Sequence, residues 1–401
     1  MEIGSIYEID PAKVLYRTGM QEKPFSLKEI EKYGKRNAAF TMSGRSAITL
    51  ALQSLVRNRP GITRKCLLPA YMCDTVFFPF QWEGWEICFY HLNKNLEAEE
   101  EELRRLIGLE RPGLLFIHAY YGVDTWKPMR SLLKEWKKEG LCIMEDVTQS
   151  YYLEDIGAEA DYIVGSLRKW YPIPDGGFVA AEETIFQEGM TLEKEFTEKR
   201  IELLTEKWNY LYGEGSAEEK KGIKNRFLKE NREMEEWLDR HEGAGKMSPE
   251  ALYMLDGIDE EACKEQRKRN YRYLYGKIHG KTWFWPILPE IEGAAPLYLA
   301  VYAREREELQ RFLTAHDIYA PVLWPVGKEN ESGLTDDERY IYDHMLALPI
   351  DQRYGMEEME RAAIVLEEYE SRRSSRNQVT GIRTDAKEEI GMGHIMRCIT
   401  I

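Results

Sequence analysis

Lys169 sits in the run Gly165-Ser166-Leu167-Arg168-Lys169-Trp170, which continues to Asp175-Gly176-Gly177 and lies between apolar stretches at 161–164 and 178–180. A lysine just past a strand can act as a Schiff-base nucleophile if a partner supplies an electron sink. Upstream, Glu145-Asp146-Val147-Thr148-Gln149 puts a carboxylate at the end of another apolar run. Such a carboxylate can keep a pyridine nitrogen protonated, while the lysine shuttles a proton between two carbons. Ser166, three residues before the lysine, can bond a phosphate oxygen, and Gln149 can reach a phenolic oxygen. Together Asp146, Gln149, Ser166 and Lys169 suit pyridoxal phosphate (PLP). Taken singly, a lysine after a strand is an ordinary surface charge, and an Asp at a strand–loop corner is an ordinary turn former. The joint arrangement carries the reading.

These residues need a scaffold that brings strand ends together. Apolar runs predict strands at 38–41, 66–69, 86–90, 114–118, 141–145, 162–165 and 178–181. Helical patterns fall at 27–33, 75–81, 98–107 and 129–139. After Ser43-Gly44-Arg45-Ser46, apolar residues at Ala47, Ile48, Ala51, Leu52, Leu55 and Val56 keep helical spacing. The free N–H groups of that helix start suit a phosphate, although a Ser-Gly start also serves as a plain cap. Continuous apolar strands separated by helices imply an α/β fold with a mostly parallel sheet covered on both faces. Ligands in such sheets sit at the carboxyl ends of strands, where Asp146 and Lys169 would share one edge.

Residues 183–245 read as a charged helical insertion, broken near 213–216 and 243–245, with its charges on a solvated face. A smaller α+β domain is expected over 246–370. Its predicted elements are one cation-rich helix to residue 277, a strand at 297–302, a helix at 304–316, a strand at 321–324, and helices at 336–345 and 356–369. The large domain would be 1–245. The tail 371–401 is Ser/Arg-rich at first and is expected to be mobile or loosely docked.

The 401 residues carry a net charge of −15, which leaves no basic stripe for nucleic acid. No apolar stretch reaches membrane-spanning length, and the acidic start is unlike a signal peptide. Six cysteines without C-x-x-C pairing fit a reduced cytoplasm, and the scattered histidines offer no metal-ligand spacing.

At this point the residues resemble the DegT/StrS-like sugar-aminotransferase branch of the fold-type-I PLP enzymes, in the aspartate aminotransferase superfamily. The resemblance covers about residues 25–370. It rests on 43–48, Leu68-Pro69-Ala70-Tyr71, His118 to Gly122, Asp146 to Gln149, Lys169 followed by Gly176-Gly177, and Leu348-Pro349-Ile350. It implies a seven-stranded-type sheet, a Schiff base at Lys169, a pyridine contact at Asp146, and a homodimer with sites at the subunit interface. Gly44, Arg45, Cys73, Gln149 and Ser166 complete the implied cofactor set.

Departures are also visible. Arg45 stands where the family has Thr or Ser after the glycine, and would either meet the phosphate or pair elsewhere. Cys73 replaces the aromatic ring that stacks on PLP, with Tyr71 either its substitute or a core residue. The Asn-x-Arg-Met segment appears as Gly245-Lys246-Met247-Ser248. Arg168 would meet a substrate anion or form an ion pair, and Trp324 would wall the pocket or fill the core. The expected activity is transfer of an amino group from an amino acid such as glutamate to a keto sugar or nucleotide-linked keto sugar. The alternatives are a PLP-fold binding or regulatory protein without turnover, or a PLP-dependent dehydratase or lyase.

Overall fold

The computed structural model describes residues 2–14, 28–154, 156–184, 186, 189–327 and 330–384. After a short strand at Ile3–Gly4 (β1), seven strands form one sheet. They are Asn37–Thr41 (β2), Lys65–Pro69 (β3), Glu86–Tyr90 (β4), Leu114–His118 (β5), Cys142–Asp146 (β6), Tyr162–Gly165 (β7) and Gly177–Ala181 (β8). Their order is β2-β8-β7-β6-β5-β3-β4. Every pairing from β7 through β4 is parallel, and β8 runs antiparallel to both of its neighbours. The mostly parallel seven-stranded sheet expected from the sequence is present.

Alternation along the strands explains how this sheet buries both faces. Cys66, Leu68, Leu114, Phe116, Cys142 and Met144 point to one side, where they pack with the helix Gly44–Asn58. Leu67, Leu115, Ile117 and Ile143 point to the other, against Leu103, Leu133 and Trp136 of the helices Glu100–Glu110 and Arg130–Lys138. The register sets His118 opposite Asp146, and Asp146 opposite Val164, at the carboxyl edge.

The 183–245 region forms two long helices, Lys194–Tyr212 and Ala217–Arg240, the second opened by a Ser216/Glu219 capping box. The solvated charged face expected there needs correction. Arg200 and Lys207 are buried, because the hairpin packs Leu203, Leu204, Phe227 and Leu238 against Ile9 and Met42 and so draws its inward-facing cations inside.

The C-terminal unit is a three-stranded antiparallel sheet of order β12-β10-β9, made from Phe284–Pro286 (β9), Tyr298–Ala303 (β10) and Met345–Pro349 (β12). Between β10 and β12, Ile318–Tyr319 (β11) pairs with β1, so the first residues of the chain belong to this unit. Three expectations fail here. The single cation-rich helix is two, Pro249–Asp256 and Glu260–Ile278, because Gly257 closes one and Asp259 caps the next by accepting from Ala262 N. Residues 321–324 form no strand: Pro321 opens the segment and Pro325 follows it, and a proline has no N–H to give a ladder. The last helix runs Met356–Thr384, past the expected start of a tail at 371; residues 385–401, with Cys398, lie outside the described residues, as does Leu27 of the helix expected at 27–33. Among the described residues no helix is long and apolar enough to cross a membrane.

Candidate active site

Lys169 ends a tight turn, Leu167–Lys169, that follows β7. Leu167 N and Arg168 N both donate to Gly176 O, at 3.0 and 3.2 Å, and Gly176 N donates to Met42 O at 2.7 Å. The second glycine of the pair has a steric reason. A Cβ on Gly177 would lie 2.5 Å from the carbonyl carbon and oxygen of Ser43, so only glycine lets β8 press the start of the helix Gly44–Asn58 against the lysine turn. Trp170 ties the same turn to the carboxylate loop, its Nε1 donating to Thr148 O at 2.8 Å.

Asp175, just before that pair, is almost wholly buried. Its two oxygens accept from Ser248 N at 2.9 Å and Thr197 Oγ at 3.0 Å. Burial outweighs those bonds and pushes its carboxyl up to about 6. The folded value lies above the unfolded one, so this group favours folding below about pH 4 and that contribution is lost as pH rises through 6. Across that window the loss is roughly 3 kcal/mol. Asp175→Asn carries no such proton, so its stability relative to wild type should rise between pH 4 and 6 in denaturant titrations. Parallel pH profiles for the two proteins would refute this.

A cavity of about 240 Å³ opens at the carboxyl edge, and Lys169, Asp146, Gln149, Ser166, Gly44, Arg45 and Cys73 all line it. The sequence-predicted set is thus brought together. Asp146 Oδ1 accepts from Thr148 N at 2.8 Å, while Oδ2 lies 3.2 Å from His118 Nδ1. That second contact is too poorly aligned to count as a hydrogen bond, so both nitrogens of the buried His118 are without one. Gln149 Oε1 accepts from Tyr121 N at 3.1 Å, which fixes the side chain and leaves its amide N–H₂ as the remaining donor. Ser43 Oγ caps Ser46 N at 3.1 Å, and the first-turn N–H groups of Gly44 and Arg45 have no intrahelical partner. A Cβ on Gly44 would sit 3.4 Å from Ser166 Cβ, so helix start and serine face each other across a short gap.

Lys169 keeps exposed surface within the cleft although protein closely surrounds it. Burial first, and then the Arg168 charge, lower its ammonium pKa, with Glu235 partly opposing. An amine held this way is nearer to the free base that a nucleophile requires.

Of Arg45's two roles, the structure shows the ion pair. Its guanidinium is held by Asp239 and, at 3.4 Å, by Glu235. Arg45 still lines the cavity, and both carboxylates that hold its charge belong to the same lining. Arg168 also forms an ion pair, bidentate to Glu235 at 2.6 and 2.9 Å. Cys73 lines the cavity, its Sγ 3.2 Å from Thr75 Oγ, and burial raises its thiol pKa. Tyr71 does not reach the wall. It is buried behind Trp324, with ring centroids 5.0 Å apart, and its hydroxyl meets Tyr121 at 2.8 Å. Trp324, carried in by the 321–324 segment, does line the cavity, together with Tyr298 and the His118 ring.

Sequence reasoning missed Glu235 and Asp239. Their one-turn spacing on the helix Ala217–Arg240 was the available signal, since such a pair shares a helix face. Elsewhere, Glu86, Cys88 and Glu110 lie close enough to hold a metal ion, but Lys65 Nζ already reaches both carboxylates, at 2.8 and 2.9 Å.

No family profile matches the sequence, and neither does any curated protein sequence. Solved structures do match. DesV of S. venezuelae aligns at TM-score 0.61 and 16% identity over 90% of this chain and 92% of its own. The sugar aminotransferase CalS13 of Micromonospora echinospora aligns at 0.61 and 14%, over 91% and 98%. A Streptococcus pneumoniae protein assigned as a sugar aminotransferase, in its PLP form, aligns at 0.64 and 13%, over 93% and 99%. The chain has the aminotransferase fold. In this fold-type-I arrangement the lysine turn, the β6 carboxylate and the helix start meet at one sheet edge, as the cavity shows.

Proposed function

We propose that the protein is a PLP-dependent aminotransferase that moves an amino group from an amino acid such as glutamate to a keto sugar or a nucleotide-linked keto sugar. The observation that carries this is the meeting of Lys169, Asp146 and the Gly44/Ser166 gap in one cavity. The donor set fits the cofactor: an amine of lowered pKa, a carboxylate with one oxygen outside any good hydrogen bond, and hydroxyl and N–H groups at a helix start. When bound, pyridoxal phosphate supplies the electron sink for a carbanion at the amino acid's α-carbon.

The chain's own residues do the rest. Lys169 Nζ would attach the cofactor and would then carry the proton between carbons. Asp146 would keep the pyridine nitrogen protonated, and Thr148 N orients that carboxylate. Ser166 and the N–H groups at Gly44 bind the phosphate. Gln149 would offer its amide N–H₂ to a ring oxygen, Cys73 would fill space in the cavity wall, and Trp324 would exclude water. The acceptor class is supported by the sugar aminotransferases that share the fold. A homodimer in the cytoplasm completes the proposal.

A PLP-holding protein without turnover is the second reading, favoured by the engagement of Arg45 with two carboxylates. Titrating the purified protein with PLP should produce a visible absorbance band, and added glutamate should then bleach it as the amino group transfers to the cofactor. A band that glutamate leaves unchanged favours the second reading. No band at all sinks both.

A further inference from the structure

A second cavity, of about 540 Å³, lies on the far side of Lys169 and shares with the first the wall made by Arg168, Lys169, Glu235, Leu297 and Tyr298. Its size falls within the range of small-molecule sites, roughly 300–1,000 Å³. Its charge is unlike the rest of the chain. Besides Lys169, five cationic side chains and three carboxylates line it, although the whole protein carries −15.

The imbalance is sharpest where the helical hairpin meets the lysine turn. Arg168 and Arg200 share a single carboxylate, Glu235. It is bidentate to Arg168 and 3.5 Å from an Arg200 Nη, while Arg200 Nη1 donates to the neutral Asn231 at 2.7 Å. Arg45 draws on the same carboxylate. Both arginines are largely buried, and the Nε of each has no hydrogen-bond partner. A buried N–H donor without an acceptor carries a desolvation cost, so neither guanidinium has its full set of partners, and both side chains line the cavity that an incoming oxyanion would enter. The titration behaviour agrees: burial pulls Arg200 down to about 10 with Glu235 only partly opposing, whereas Glu235 is held well below the usual carboxylate range by Arg168 despite its own burial. Negative charge is in short supply here.

We infer that Arg168 and Arg200 form the binding site for an oxyanion of the substrate, and that Glu235 is the internal carboxylate that neutralises the pair until the substrate arrives. The chemistry is a phosphate or carboxylate met by paired guanidinium forks. Two sources are open, the diphosphate of a nucleotide-linked acceptor and the carboxylate of the amino donor. The identity of the anion as part of a substrate rests on the aminotransferase reading; the existence of the anion site does not.

Calorimetric titration of the purified protein at constant ionic strength tests it, using uridine diphosphate and glutarate as probes that undergo no turnover. Arg200→Gln should weaken at least one probe by about tenfold, the scale of one charge-assisted hydrogen bond. Glu235→Gln, by removing the competing carboxylate, should tighten the same probe severalfold. Sensitivity of uridine diphosphate assigns the site to the acceptor, and sensitivity of glutarate assigns it to the donor. The inference is overturned if neither probe binds the wild type, or if folded Arg200→Gln binds both within twofold of wild type. Should Arg200→Gln not fold, Arg200→Lys and Glu235→Gln decide: unchanged affinities in both would overturn it equally. Failure of the cofactor reading would appear separately, as the absence of the visible band.

Discussion

Lys169→Ala is expected to lower the turnover number by about 10⁴ or more, while PLP still binds in a form that dialysis removes. The loss is large because one side chain performs two tasks. On the proposed function it would attach the cofactor covalently and would also carry the proton between carbons; positioned proton transfer alone is worth about 10² to 10⁴. On the free-energy scale a factor of 10⁴ is about 5.5 kcal/mol. Residual binding is expected because Ser166, the helix start at Gly44 and the Asp146 carboxylate, the groups proposed to hold the cofactor, remain in place. The measurement pairs single-turnover rates with the absorbance of the bound cofactor before and after dialysis. A variant that keeps the wild-type rate would show that another amine does the work.

The largest stability effect is expected at Arg130. This guanidinium holds Glu145 bidentately at 2.7 and 2.8 Å and Asp124 at 2.9 and 3.1 Å. Glu145 is 0% exposed, sits one residue before Asp146 on β6, and has one further donor, Gly157 N at 3.0 Å. Arg130→Met would leave a carboxylate inside the protein without its counter-charge, which costs about 3–5 kcal/mol. Adding Glu145→Gln to the same chain should recover most of that loss, because the neutral amide is far cheaper to bury. Denaturant unfolding followed by a signal from the large sheet would read both. If the double variant proves no more stable than Arg130→Met, Glu145 is not the source of the cost.

Much of the architecture was legible for a specific physical reason. Strands buried on both faces, such as β5 and β6, are continuous apolar runs, and their predicted limits fall within a residue of the observed ones. Asp146 and Lys169 could be paired from sequence because parallel strands deliver their carboxyl ends to one edge. The C-terminal unit was harder to read. β12 follows the helix Asp336–His344 with no turn residue between them, and β9 spans only three residues, so neither shows a clear period. In the hairpin the charges misled. Along an isolated helix Arg200, Glu235 and Asp239 look like solvent-facing residues, and only the docking of that helix against the lysine turn makes them part of the site. Such information lies between elements, which a one-dimensional pattern does not carry.

The pairing of β1 with β11 has a consequence for the order of assembly. Gly4 N donates to the Tyr354 hydroxyl across 350 positions, and Ile3 sits opposite Ile318. A chain emerging from the ribosome can close its large sheet once β8 is out, yet its first strand stays without its ladder until β11 has been made. β1 therefore acts as a clasp that can shut only after β11 has been made. Because Ser5 and Ile6 line the second cavity, the chamber beside Lys169 lacks part of its wall until that pairing forms.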